Sequence, residues 1–204
     1  MTTFYRRRGK RALDIAGATT ALIVASPLLL GVSATLRNRM GSPVLFKQQR
    51  PGLNGKPFTL LKFRTMRTFK IQANADQSDA ARLTPFGRWL RSTSIDELPE
   101  LLNVLRGEMS LVGPRPLLMD YLDRYTPEQA QRNNMKPGIT GWAQVNGRNS
   151  LTWDEKFNLD IWYVHNSSFK IDAQILWRTI IQVFNRSGVT AEGHETMPKF
   201  NPKA

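Results

Sequence analysis

Residues 15–36 read IAGATTALIVASPLLLGVSATL, without one charged side chain. A run of that length and composition is about what a helix needs to cross the hydrocarbon core of a bilayer. Its flanks are basic at both ends: Arg6, Arg7, Arg8, Lys10 and Arg11 precede it, and Arg37 and Arg39 follow it. Basic flanks favour the cytoplasmic side, so both ends ask for the same side. Ser26-Pro27 falls mid-run, where proline removes a backbone donor and serine can serve the freed groups. These features predict a re-entrant helix-break-helix over residues 1–40 that enters and leaves by one leaflet. Three other readings compete. A straight span satisfies the length but neither the two basic flanks nor the mid-run proline. A secretory signal could end at Val32-Ser33-Ala34, but Arg37 and Arg39 just beyond disfavour export. A buried core helix fits poorly, because the run has no polar stripe.

The rest of the chain, residues 41–204, reads as one domain. The 204 residues carry 29 basic and 16 acidic side chains, a net charge of +13. Such an excess calls for a polyanionic partner: nucleic acid, anionic lipid or a phosphorylated metabolite. With no cysteine, and with His165 and His194 far apart, disulfides and thiolate metal sites are excluded. Any metal here takes oxygen ligands.

Val44–Phe46 and Phe58–Phe63 read as extended segments joined by the turn-rich residues 50–57, a small hairpin. Residues 68–81 lack a period and read as a surface loop. Leu98, Leu101, Leu102 and Leu105 recur at helical spacing, so Asp96–Arg106 reads as an amphipathic helix closed by Gly107. Asp172 is placed to cap a last helix that ends near Arg186–Gly188. Trp153, Phe157, Trp162, Tyr163, Phe169 and Trp177 fit either an interfacial belt or an ordinary core.

The candidate chemistry lies at Ser94-Ile95-Asp96-Glu97. S-x-x-E is also a capping box. With Ser94 as N-cap, however, Pro99 would remove an intrahelical bond, so the N-cap moves to Asp96. At a helix mouth the carboxylate form is favoured, which suits either a nucleophile or a cation ligand. Lys62, Arg91, Arg115 and Arg148 lie in turns or beside glycine and proline, where a basic side chain can meet phosphate oxygens.

Together these segments resemble the bacterial sugar transferases, the monotopic phosphoglycosyl transferases. The resemblance rests on Lys10–Ile15 (KRALDI), Ser26-Pro27, Gln49–Gly52 (QRPG), Lys62–Met66 (KFRTM) and Arg91–Leu117 (RSTSIDELPELLNVLRGEMSLVGPRPL). It continues through Pro137–Asn149 (PGITGWAQVNGRN) and Arg186–His194 (RSGVTAEGH), so it covers nearly the whole chain. It implies a mostly α, monotopic membrane protein with a small β-hairpin, a re-entrant helix bent at Ser26 and Pro27, and interfacial amphipathic helices. It also implies transfer of a sugar 1-phosphate from a UDP-sugar to undecaprenyl phosphate, with UMP released and a phosphosugar held covalently on Asp96. Glu97, with Asp96, would bind Mg2+, while Lys62, Arg91, Arg115, Arg148 and Asp160 would bind substrate. The small members it most resembles use UDP-N,N'-diacetylbacillosamine; UDP-GlcNAc, UDP-glucose and UDP-galactose are the alternatives. The expected place is the cytoplasmic face of the bacterial inner membrane, with membrane lipid and no nucleic acid as partner. The rival of another class is a membrane-tethered basic protein that binds nucleic acid or polysaccharide.

Overall fold

The structure is a computed structural model that describes residues 4–67, 82–147, 150–185 and 200. The surface loop read at 68–81, the helix stop near Arg186–Gly188, and Arg148 and His194 lie outside the described residues.

A π-helical turn, Tyr5–Gly9, leads into helix α1, Lys10–Met40. The helix runs through Ser26-Pro27 instead of stopping there, a difference from the expected helix-break-helix. The reason is local. Pro27 cannot donate to the carbonyl four residues back, and the Ser26 hydroxyl donates to that same Ile23 carbonyl at 2.8 Å.

The residues of α1 that turn inward are Lys10, Asp14, Ala18, Leu22, Ala25, Leu29, Val32, Leu36 and Met40. Steps of three and four keep them on one stripe along a helix of about 46 Å. The other side is open and apolar: Ile23, Val24 and Leu30 are 68%, 75% and 72% exposed. Such a surface is far from what water alone selects.

The stripe docks on a hairpin of β1 (Leu45–Pro51) and β2 (Pro57–Phe63), with Leu45 opposite Phe63 and Pro51 opposite Pro57. Phe58 and Leu60 of β2 pack with Ala18, Leu101, Val104 and Met109, and Leu22 closes over them. Phe63 packs with Val32, Leu36 and Leu90, beside Leu29. The two clusters lie on opposite faces of β2, since Leu60 and Phe63 are an odd number of residues apart.

Helix α2, Pro85–Ser92, starts at Thr84, whose hydroxyl accepts from the Gly87 N–H at 2.9 Å. A Cβ on Gly87 would lie 2.0 Å from the Thr65 carbonyl oxygen, so only glycine lets α2 rest on the segment after β2. Ser94 then turns the chain sharply at φ 56°, and a 3-10 turn, Ile95–Glu97, precedes helix α3, Glu100–Arg106. The single helix expected over Asp96–Arg106 is thus two pieces. Neither Ser94 nor Asp96 caps α3; its N-cap is Pro99. The stop at Gly107, φ 81°, is the expected one.

Strand β3, Ser110–Val112, pairs in parallel with β4, Gly138–Thr140. Helix α4, Pro127–Ala130, lies between them in sequence, and α5 (Trp142–Val145), α6 (Trp153–Asn166) and α7 (Phe169–Asn185) follow. Asp172 is not the cap of α7 but lies inside its first turn. It is fully buried and accepts from Lys10 Nζ at 2.6 Å and from the Tyr5 and Tyr163 hydroxyls, each at 2.5 Å. Burial explains the correction, since a carboxylate out of water needs such donors more than a helix end needs a cap.

Part of the basic flank also serves the fold. Arg6 donates to the carbonyls of Val164, His165 and Ser167 at the end of α6, and Arg11 to those of Val104 and Leu105 at the end of α3. Arg64 does the same for Met40 and Gly41 at the end of α1. Each guanidinium satisfies carbonyls that a helix C-terminus leaves open. The aromatic group divides: Phe157 and Tyr163 are core, whereas Trp162, Phe169 and Trp177 are exposed.

Candidate active site

Five elements converge on one acidic trio. Strand β2 brings Lys62, the last turn of α2 brings Arg91, and the 3-10 turn brings Asp96 and Glu97. Helix α3 opens with Glu100, and the rigid Gly113–Pro116 loop brings Arg115. Glu97 Oε1 accepts from Lys62 Nζ at 2.6 Å and from Arg115 Nη2 at 2.5 Å. Lys62 lies 3.1 Å from Glu100 Oε1 as well, so one ammonium serves two carboxylates. Arg91 is aimed by Thr65, whose hydroxyl oxygen accepts from its Nε at 3.1 Å.

These three acids differ in their proton affinity. Burial would raise Glu97, but Arg115 and Lys62 outweigh it and hold Glu97 well below the usual carboxylate range. Asp96 is pushed up to about 6, first by burial and then by the negative charge of Glu97, with Lys62, Arg91 and Arg115 pulling the other way. Burial and Glu97 likewise push Glu100 up to about 7. Neither acid stands at an α-helix mouth as expected: Lys62 and Arg115 favour the carboxylate at Glu97, and the expectation fails for Asp96. A 3-10 turn of three residues carries little macrodipole, so burial decides at Asp96.

Asp96 is only 8% exposed, yet among the described residues its carboxylate makes no hydrogen bond. It is a poised acceptor among cations. Arg115, by contrast, keeps 43% of its side chain in solvent and can turn toward a ligand.

Asp160 stands elsewhere. It is buried on α6 and accepts from Arg132 Nε at 3.1 Å and Nη2 at 2.7 Å. That same Nη2 donates to the Arg115 carbonyl at 2.7 Å. Asp160 therefore supports the loop that carries Arg115, and its side chain faces Arg132 instead of the acidic trio. Asp160→Asn should cost about 3 kcal/mol in chemical denaturation, the order expected for breaking a buried pair. A carboxylate kept only for substrate contact would leave the denaturation midpoint in place.

Sequence reasoning missed Glu100 and Arg132. Glu100 carried a signal, an acid one helical turn beyond Asp96-Glu97. Arg132 carried none, because its partner lies 28 residues away.

Among the described residues no group of three or more His, Cys, Asp or Glu is arranged to hold a metal ion by itself. The donor set fits a shared site instead. Mg2+ commonly takes one or two carboxylates and completes its shell with phosphate oxygens and water. Asp96, with its unengaged carboxylate, and the neighbouring Glu97 meet that description.

The chain is 53% identical over 191 residues to the uncharacterized sugar transferase EpsL of Bacillus subtilis, a match over 94% of this chain and 95% of that protein. It is 38% identical over 202 residues to an undecaprenyl-phosphate galactose phosphotransferase of Salmonella typhimurium, covering 88% of this chain and 41% of the relative. It is 38% identical over 186 residues to the UDP-glucose:undecaprenyl-phosphate glucose-1-phosphate transferase of Escherichia coli, covering 86% and 40%. The chain thus spans nearly all of EpsL but about two fifths of the longer relatives. The model of one family, described as bacterial sugar transferase, matches residues 5–186, from the turn before α1 through α7 and including every element of the acidic site. The chain belongs to the bacterial sugar transferase family.

Proposed function

We propose that the protein is a phosphoglycosyl transferase that moves a sugar 1-phosphate from a UDP-sugar to undecaprenyl phosphate. The observation that carries the reading is Asp96, a buried carboxylate without a hydrogen-bond partner among the described residues, with the charges of Lys62, Arg91 and Arg115 acting on it. A carboxylate oxygen of Asp96 attacks the β-phosphorus of the donor. The bond from that phosphorus to the bridging oxygen breaks, and UMP leaves with the electron pair. The acyl phosphate on Asp96 is then attacked by an oxygen of the lipid phosphate, which regenerates the carboxylate.

Lys62, Arg91 and Arg115 offset the charge of the phosphates and orient them; Arg148 is proposed for the same work. Asp96 and Glu97 would hold Mg2+, which when bound supplies Lewis-acid neutralisation of phosphate charge. Glucose and galactose are the sugars named in the relatives, and none of the relatives described carries a bacillosamine name. UDP-glucose and UDP-galactose therefore stand ahead of UDP-N,N'-diacetylbacillosamine and UDP-GlcNAc as donors. A basic nucleic-acid or polysaccharide binder would leave the buried acids without a purpose.

The proposed setting is monotopic, at the cytoplasmic face of the inner membrane. Residues 18–22 and 29–36 of α1 both share core clusters with the body, so a span would draw part of that body toward the bilayer, which supports the monotopic reading. The open apolar side of α1, with exposed Phe169, Trp177 and Ile180 of α7, supplies the lipid-facing surface. The chain has no cysteine, so single cysteines placed at Thr3 and Asn38 report topology cleanly. Both should label from the cytoplasmic side; labelling from opposite sides would make α1 a span.

The reaction is tested by UMP release from purified protein with Mg2+, a panel of UDP-sugars and undecaprenyl phosphate. Lipid-dependent UMP with one donor supports the reading and names the sugar. No UMP from any donor, in folded protein, removes it.

A further inference from the structure

Arg50 is the second-last residue of β1, in the QRPG segment, and no step of the proposed reaction uses it. In the hairpin Arg50 lies opposite Phe58, Gln48 opposite Leu60 and Phe46 opposite Lys62. Directly opposed residues share a face of a sheet, so Arg50, Gln48 and Lys62 leave the hairpin on the same side. The Arg50 side chain then runs toward the Gly113–Pro116 loop. Nη2 donates to Gln48 Oε1 at 2.7 Å, and Nη1 reaches the Pro116 carbonyl at a long 3.4 Å. Its Nε is buried and has no hydrogen-bond partner among the described residues. Among the described residues no carboxylate lies within ion-pair distance of it.

Arg115 is its charged neighbour. Burial, and after it the like charge of Arg115, push Arg50 below the ordinary arginine value. Of the cations nearby, Arg132 is matched by Asp160 and Lys62 by Glu97 and Glu100, whereas Arg50, like the site residue Arg91, has only neutral acceptors among the described residues. A cleft between Pro51-Gly52 and Pro114–Pro116, with Arg115 in its wall, adjoins it. Two guanidinium groups close enough to repel, one with a buried donor that has no partner among the described residues, form a site for an oxyanion.

We infer that Arg50 is a further phosphate-binding residue, which acts with Arg115 on a phosphate of one of the two substrates. The inference rests on the transferase reading. Donor diphosphate and lipid phosphate offer the same oxygens, and covalent catalysis separates them. Exchange of labelled UMP into UDP-sugar needs no lipid and reports the donor half alone, whereas the full reaction reports both halves.

The experiment compares wild type, Arg50→Gln and Arg50→Lys in both assays, after thermal unfolding has shown that each variant is folded. If Arg50 holds the donor, Arg50→Gln raises the donor KM in the exchange roughly 10- to 100-fold, the usual cost of charge-assisted hydrogen bonds, and kcat changes less. If it holds the acceptor, exchange is unchanged and the KM for undecaprenyl phosphate rises by a similar factor. Either result supports the inference, and Arg50→Lys should recover part of the loss through charge alone. Unchanged KM values for both substrates in folded Arg50→Gln overturn it, as does a fall in kcat alone, which would make Arg50 a support for the Pro116 loop. Wild type inactive in both assays would instead remove the transferase reading itself.

Discussion

Asp96→Asn is expected to abolish turnover, by three orders of magnitude or more in lipid-dependent UMP release, and at the same time to make the ligand-free protein more stable. The two effects share one cause. The amide cannot form the acyl phosphate, so covalent catalysis is lost outright. In the free protein, burial and Glu97 push Asp96 up to about 6, so keeping it ionised at neutral pH opposes folding. A carboxyl whose folded pKa exceeds its unfolded value of 3.8 binds protons more readily when folded. Folding stability therefore falls as pH rises from about 4 through about 6 and stays lower above that. The amide removes this loss, on the order of 1–3 kcal/mol near pH 7.5. Thermal unfolding from pH 4.5 to 8 checks the sign: the gain should grow with pH and vanish at the acid end. An Asp96 that merely supported the 3-10 turn would give a variant that is active and no more stable.

Glu97→Gln should lose activity as well, with the opposite effect on stability. Glu97 is the acid that Lys62 and Arg115 share, and removing its charge leaves two cations facing a neutral amide. Breaking such a pair costs on the order of 2–4 kcal/mol. The pH dependence is reversed. Glu97 is held below its ordinary value of 4.5, so its contribution is complete above that pH and fades as pH falls toward the folded value. The gap in unfolding midpoint between wild type and Glu97→Gln should thus be widest near neutrality and narrow below pH 4.5. Adjacent carboxylates with opposite stability effects would separate a poised nucleophile from the residue that organises the cations around it. Equal destabilisation by both variants would count against that division of roles.

Much of this site was legible in the chain. Asp96, Glu97, Lys62, Arg91 and Arg115 stand in dense motifs with glycine and proline nearby, and the fold brings all five together. What the sequence hid is the state of the acids. Local spacing suggests a helix mouth that favours charge; only the turn at Ser94 and the packing over Asp96 reveal that burial prevails there. Asp160 was visible only as a family-matched polar residue, and its partner Arg132 is distant in sequence, so its supporting place could not be read. The long helix was legible in length and polarity. Its inward stripe was not, because both sides of α1 are apolar and no amphipathic pattern marks the side that docks.

That stripe makes one helix both an open apolar surface and a wall of the core. Lys10, Asp14, Ala18, Val32 and Leu36 are interior residues of the folded body, and Asp14 accepts from the Ser110 hydroxyl and the Leu111 N–H. Trimming the first forty residues would not yield a water-soluble catalytic fragment; it would strip a wall from the core and leave Asp172, Phe63 and Leu101 facing water. Synthesis meets the same constraint. Lys10 leaves the ribosome 162 residues ahead of the carboxylate it binds, so that end of α1 stays unpartnered until α7 is made, after the rest of the stripe has met β2 and α3.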